Sequence, residues 1–230
     1  MGLKHLILLH GALGSAEQLS VLQNRLQEHY IVHTLNFPGH GGAAMDGYEF
    51  SINGFTAALK DFVERNNIPQ PNLFGYSMGG FVALVAAAKK LFTSDKIITL
   101  ATKFAWTEQI AEKEVRMLDA DTLQTKLPAF VDTLAKRHAP QPWREHLSLT
   151  ANLMTTLGKG HALTEATLAN IEQTCLLLLG DQDKMVTEQE TMAVQQSLPN
   201  GKFQALKDTP HPIEKVDTDL LIAAIRNFLQ

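Results

Sequence analysis

The sequence predicts an α/β protein with a mostly parallel sheet of about six strands, flanked by helices and interrupted by a helical insertion. Three observations predict it. Short apolar runs such as His5–Leu9 and 175–179 do not alternate with polar residues, the pattern of strands buried on both faces of a parallel sheet. Stretches of helical period separate these runs, as the crossovers between parallel strands require. From residue 102 to about 174 the alternation stops, and beyond 174 it resumes, so this segment reads as an insertion into one sheet. The expected division is 1–101 and 175–230 for the core and 102–174 for a helical lid.

The elements follow in order. After the first strand, a helix is predicted from Ser15 to Glu28, with Leu19, Leu22 and Leu26 on one face and Ser15 and Gln18 at capping-box spacing. Ile31–Leu35 is a strand closed by the turn residues Pro38 to Gly42. A helix over 53–67 and a strand over 72–76 come next, then a small-residue helix from Gly79 to about Lys90 and a strand over 96–100. The insertion reads as short amphipathic helices broken at Pro128, at Pro140 and Pro142, and at Gly158 and Gly160. Strand 175–179, a helix from Thr187 with Glu190 completing a capping box, strand 202–206 and a last helix over 213–228 finish the chain.

Composition narrows the function. The 20 basic and 24 acidic side chains leave a net charge of −4, and no Lys/Arg-rich run is present. Such a chain has no field for gripping phosphate backbones or anionic lipid, so neither nucleic acid nor membrane is an expected partner. The single cysteine, Cys175, rules out an internal disulfide and reads as a small buried hydrophobe within a strand. The apolar run Leu6–Leu9 is too short for a signal peptide, and no run approaches the ~20 residues of a membrane helix. A cytoplasmic protein with a small-molecule partner is expected. No G-x-G-x-x-G, P-loop, H-E-x-x-H or Cys/His cluster occurs, so neither cofactor nor metal is expected.

The strongest chemical signal is Gly75-Tyr76-Ser77-Met78-Gly79, a G-x-S-x-G motif directly after a predicted strand and before a predicted helix. A serine on so sharp a turn projects its hydroxyl at the carboxyl edge of the sheet. Residues without side chains on either side let strand and helix approach. The helix N-terminus from Met78 directs amide N–H groups at a developing oxyanion, and a turn in His10-Gly11-Ala12-Leu13-Gly14-Ser15 aims the Ala12 amide at the same place. His10 reads as a structural hydrogen-bonder of that loop.

On HGALGS (10–15), FPGHGG (37–42), GYSMGG (75–80), LLLLGDQDKMV (176–186) and TPHPIEK (209–215), the chain resembles the α/β-hydrolase fold family along essentially its whole length. The first strand opens the chain, so the resemblance implies a trimmed member without the leading hairpin of many relatives. It also implies a nucleophile, acid and histidine in that order. His211 lies in a loop between Pro210 and Pro212 after the last strand, where a base reaches Ser77. The other histidines fall in strands or the insertion as packing or surface residues, and His40 falls in a loop near the pocket rim. Asp181 and Asp183 both follow the strand over 175–179. The family pattern of glycine, two residues, aspartate selects Asp183 and leaves Asp181 as a loop-capping residue.

The implied chemistry is ester hydrolysis through an acyl-enzyme at Ser77, with Asp183 and His211 as acid and base and Ala12 and Met78 as oxyanion donors. Phe104 and Trp106, where the chain leaves the sheet, are candidate substrate contacts, and the insertion's cations (Lys113, Arg116, Lys126, Lys136, Arg137 and Arg144) offer no basis for choosing among them. The same triad serves carbon–carbon bond hydrolases and the elimination of the menaquinone-pathway synthases. The latter usually carry Arg after the double glycine, where this chain has Phe81. A non-catalytic ligand-binding member of the fold is the contrasting class.

Overall fold

Apolar runs that do not alternate must be covered on both sides, and the computed structural model, which describes residues 2–230, covers them so. Six strands, His5–Leu9 (β1), Ile31–Thr34 (β2), Asn72–Tyr76 (β3), Lys96–Leu100 (β4), Thr174–Gly180 (β5) and Gly201–Leu206 (β6), form one sheet. Its order is β2-β1-β3-β4-β5-β6, and every neighbouring pair is parallel.

The two-residue period of a strand divides the core into two layers. Leu6, Leu8, Phe74, Ile98, Leu176 and Leu178 face Leu22 and Leu26 of helix α1 (Ser20–Leu26) and Leu221, Ile222 and Ile225 of the last helix, Thr218–Leu229. Ile7, Leu9, Leu73, Ile97, Cys175 and Leu177 face the other way. They pack on α2 (Ile52–Arg65), α3 (Met78–Ala88) and the helix Glu188–Ser197.

Between β4 and β5 run five helices, α4 (Glu108–Arg116), α5 (Ala120–Lys126), α6 (Pro128–His138), α7 (Trp143–Lys159) and α8 (Glu165–Leu168). They are followed by α9 (Glu188–Ser197) and α10 (Thr218–Leu229). Leu123, Val131, Leu134 and Leu147 give this segment a small apolar centre of its own.

Several boundaries differ from the sequence reading, each for a local reason. The first helix opens as a turn of 3₁₀ helix, Ala16–Leu19, before α1; Gln18 accepts the Ser15 N–H at 3.1 Å, the return arm of the capping box. The last helix does not start at Ile213. A 3₁₀ turn, Ile213–Lys215, precedes it, and Asp217 sets the start of α10 by accepting the N–H groups of Asp219 and Leu220 at 2.9 and 3.0 Å. Gly158 does not break α7; it lies within it, where a side chain would collide with Ala111 of α4. Thr187 and Glu190 form the expected capping box.

His40 is also placed differently. It is fully buried, stacked on Phe50 at 4.9 Å between ring centroids and 4.6 Å from His146. His146 stacks on His138 at 3.6 Å, and His10 lies 5.1 Å from His40, so four fully buried histidines join β1, the 37–43 turn, α6 and α7. Burial keeps them uncharged: it pushes His10 and His138 down to about 4 and His146 to about 3, and holds His40 well below its usual value.

The unfolded chain therefore binds protons on these rings below about pH 6.5, while the folded chain does not until near pH 4. Stability is complete above pH 6.5 and falls as pH drops through that window, by on the order of 1 kcal/mol per ring per pH unit. The melting temperature is expected to fall steeply between pH 6.5 and 4.5, and His146→Leu to flatten that slope; calorimetric scans across the window check it.

Candidate active site

A parallel sheet whose chain runs from β1 out to β2 and returns to β3 on the other side opens a crevice at the carboxyl ends of β1 and β3. The loop 10–15 and Ser77 lie at these two ends. Ser77 takes φ 51° and ψ −115°, a sparsely populated conformation for a residue with a side chain. It is held there from both sides, as its N–H donates to the Leu100 carbonyl at 2.8 Å and its carbonyl accepts from Thr102 Oγ1 at 3.0 Å. The glycines around it are required by close approach. A Cβ on Gly75 would enter the backbone of Gly79 and Gly80, and one on Gly79 would meet the carbonyls of Leu9 and His10.

The candidate acid and base come from two later loops. His211 Nδ1–H donates to Asp183 Oδ2 at 2.8 Å, and Asp183 Oδ1 accepts the Met185 and Val186 amides at 2.8 and 2.9 Å. The Asp183 side chain is 1% exposed. Burial works to raise its pKa, but the His211 hydrogen bond and charge, with the two amides, outweigh it and leave the carboxyl below its ordinary value. Tyr76 donates its hydroxyl to the His211 carbonyl at 3.2 Å, and burial raises the pKa of that phenol. Asp181 caps the same loop by accepting the Thr209 N–H at 3.2 Å. With Nδ1 protonated against Asp183, Nε2 of His211 is free to accept a proton.

Ser77 and His211 line one cleft together with Ala12 and Met78. No hydrogen bond joins Ser77 Oγ to the ring in this arrangement, which is common before substrate tightens such contacts. Neither the Ala12 nor the Met78 N–H donates to a backbone acceptor, so both are available to a ligand. Most of the remaining wall is apolar, with Ile52, Phe81, Trp106, Leu153, Met154 and Leu157, and Lys103 and Glu114 are its charged members. The cavity volume is about 50 Å³. Trp106 is thus at the cleft, whereas Phe104 is not: its side chain is buried in the core and beside α9, and its N–H donates to Glu190 Oε1. Glu190 fixes the segment leaving β4 in a register that turns Phe104 away. Among the described residues no group of three or more metal-ligating side chains converges, and no helix is long and apolar enough to cross a membrane.

The loop 10–15 is held from both sides. His10 accepts the Phe37 N–H at Nε2 (3.1 Å) and donates from Nδ1 to the Gly11 carbonyl (2.8 Å). From α6, Arg137 and His138 both donate to the Leu13 carbonyl, at 2.8 and 3.1 Å. These contacts were not legible in the sequence, nor were Lys103, Glu114 and Met185, which also line the cleft. Arg137 stood among six cations with nothing to single it out, since what selects it is a carbonyl 124 residues away.

The sequence profile of the alpha/beta hydrolase fold matches residues 4–214. The chain belongs to that family. The pimeloyl-[acyl-carrier protein] methyl ester esterase of Xanthomonas campestris pv. campestris is 26% identical over 97% of this chain and 94% of its own length. The 2-succinyl-6-hydroxy-2,4-cyclohexadiene-1-carboxylate synthase of Escherichia coli is 34% identical, over 39% of this chain and 35% of that enzyme. The solved structure of MenH from S. aureus superposes with a TM-score of 0.77 at 23% identity, covering 100% of this chain and 94% of that one. This alpha/beta hydrolase fold member is therefore similar to enzymes of more than one reaction type, and the fold alone does not choose among them.

Arg137→Leu is expected to loosen the loop 10–15 and to speed amide exchange at Gly14, whose N–H donates to the Gly11 carbonyl, by about tenfold, the loss of roughly one hydrogen bond. Exchange followed by mass spectrometry measures it.

Proposed function

We propose that this chain is a serine hydrolase acting on esters of small, fairly apolar acyl groups. The observation that carries the reading is the 2.8 Å His211–Asp183 hydrogen bond beside Ser77, in a cleft that also holds two amides free to receive an oxyanion. His211 Nε2 takes the Ser77 proton as Oγ attacks the ester carbonyl. The Ala12 and Met78 N–H groups take the negative charge on the carbonyl oxygen. The alcohol leaves with the proton from His211, which then removes a proton from water to cleave the acyl-enzyme and release the acid. Asp183 keeps His211 in the tautomer that leaves Nε2 facing the reaction and stabilises the imidazolium.

Elimination on the same triad has less support. Phe81 is 2% exposed and lines the cleft where the synthase resemblance implies Arg, so an apolar wall stands in place of a cation.

Hydrolysis of p-nitrophenyl esters of graded acyl length by the wild type and by Ser77→Ala tests the proposal. Ser77→Ala should cost about 10⁴-fold or more in kcat without changing the melting temperature materially. Turnover that survives Ser77→Ala would overturn the assignment. Asp183→Asn is expected to lower kcat by about 10³–10⁴-fold with KM little changed, because it lets the His211 ring choose the wrong tautomer. Steady-state kinetics on the same esters reads that split.

A further inference from the structure

Lys103, just beyond β4, and Glu114, on α4, line the Ser77 cleft; among the described lining residues they are its one lysine or arginine and its one carboxylate apart from the His211 side of the site. Their side chains are 13% and 6% exposed. Lys103 Nζ donates to the Met185 carbonyl at 2.8 Å and stands 5.9 Å from the Trp106 ring centroid, which fixes its position. It lies 3.7 Å from Glu114 Oε1, too far for a hydrogen bond. An ammonium has three donors, so two are not taken up by Met185, and the Glu114 carboxylate draws no protein hydrogen bond to offset its burial. A buried ion pair so poorly bonded contributes little to stability, and apolar residues of similar volume would serve the fold as well or better. Its place in the wall of a reactive cleft gives it another use.

We infer that Lys103 and Glu114 select the substrate's acyl chain by a neutral terminal group that both accepts and donates a hydrogen bond, a hydroxyl or a primary amide; this rests on the hydrolase reading above. Such a group takes a hydrogen bond from the Lys103 ammonium and gives one to the Glu114 carboxylate. A bare alkyl end would strip water from both ions and return nothing. A terminal carboxylate would accept from Lys103 but meet the charge of Glu114, so the pair also works against acids. The apolar wall takes the methylenes between that group and the carbonyl.

The experiment compares p-nitrophenyl esters with ω-hydroxyacyl, alkyl and ω-carboxyacyl chains of matched, graded length. They are assayed on the wild type, on Lys103→Met/Glu114→Leu and, as a polar control, on Lys103→Gln/Glu114→Gln. The wild type should prefer the ω-hydroxy ester over its alkyl isostere by about tenfold or more in kcat/KM, with the ω-carboxy ester poorest. The apolar double variant should reverse the first order and favour alkyl. No preference in the wild type, a preference for the acid, or an equal loss on all three esters in both variants would overturn the inference. The last would make the pair a tie between α4 and the sheet. If no ester is turned over, or if turnover survives Ser77→Ala, the hydrolase reading fails instead. Calorimetric binding of the matched methyl ketones then decides the inference independently: tighter binding of the ω-hydroxy ketone in the wild type alone supports it, and equal affinities refute it.

Discussion

Ser77 turns from strand to helix at φ 51°, ψ −115°, in the middle of a sheet where neither strand nor helix can give way. Such a conformation costs on the order of 1–3 kcal/mol and persists only where the surroundings over-determine it. Here β3 is locked between β1 and β4, the Ser77 peptide is bonded at both ends to Leu100 and Thr102, and glycines remove the side chains that would hold α3 off the sheet. The strain sets the Ser77 hydroxyl and the first amide of α3 side by side at the cleft. Asp183, His211 and the Ala12 amide are brought to that fixed point by loops.

Those loops are not held by the sheet alone. The Leu13 carbonyl receives two donors from α6, and the histidines beneath it link β1, the 37–43 turn, α6 and α7 into one uncharged, aromatic block. The helices between β4 and β5 therefore do more than line the cleft; they fix the turn that carries one of its two free amides. Placing four rings where none can be charged ties that arrangement to pH, because burial and mutual repulsion both oppose protonation.

Relatives named for different reactions match this chain, so what is particular to it has to be sought in the cleft wall. Two features of that wall stand out: Phe81 directly after the glycines, and a poorly bonded ion pair set among apolar side chains. Both enter from elements that the sheet positions but does not specify. Phe81 comes from the first turn of α3, Lys103 from the exit of β4 and Glu114 from α4.

Much of this was legible in the sequence because the signals are local. Non-alternating apolar runs such as His5–Leu9 report burial on two faces, and G-x-S-x-G reports a turn whose strain only glycine neighbours tolerate. Asp183 and His211 stand in short loops at the ends of strands, where geometry leaves little choice of side. Burial of His40, the turn of Phe104 away from the cleft, the grip of Arg137 on Leu13 and the Lys103–Glu114 pair were decided only by tertiary structure. Each depends on partners distant in the chain or on another helix, and a helical period states which face is apolar without stating what that face will meet. The sequence by itself determined the sheet, the strained serine and the order of the residues around it. Packing between the inserted helices and the sheet decided which other side chains share the cleft.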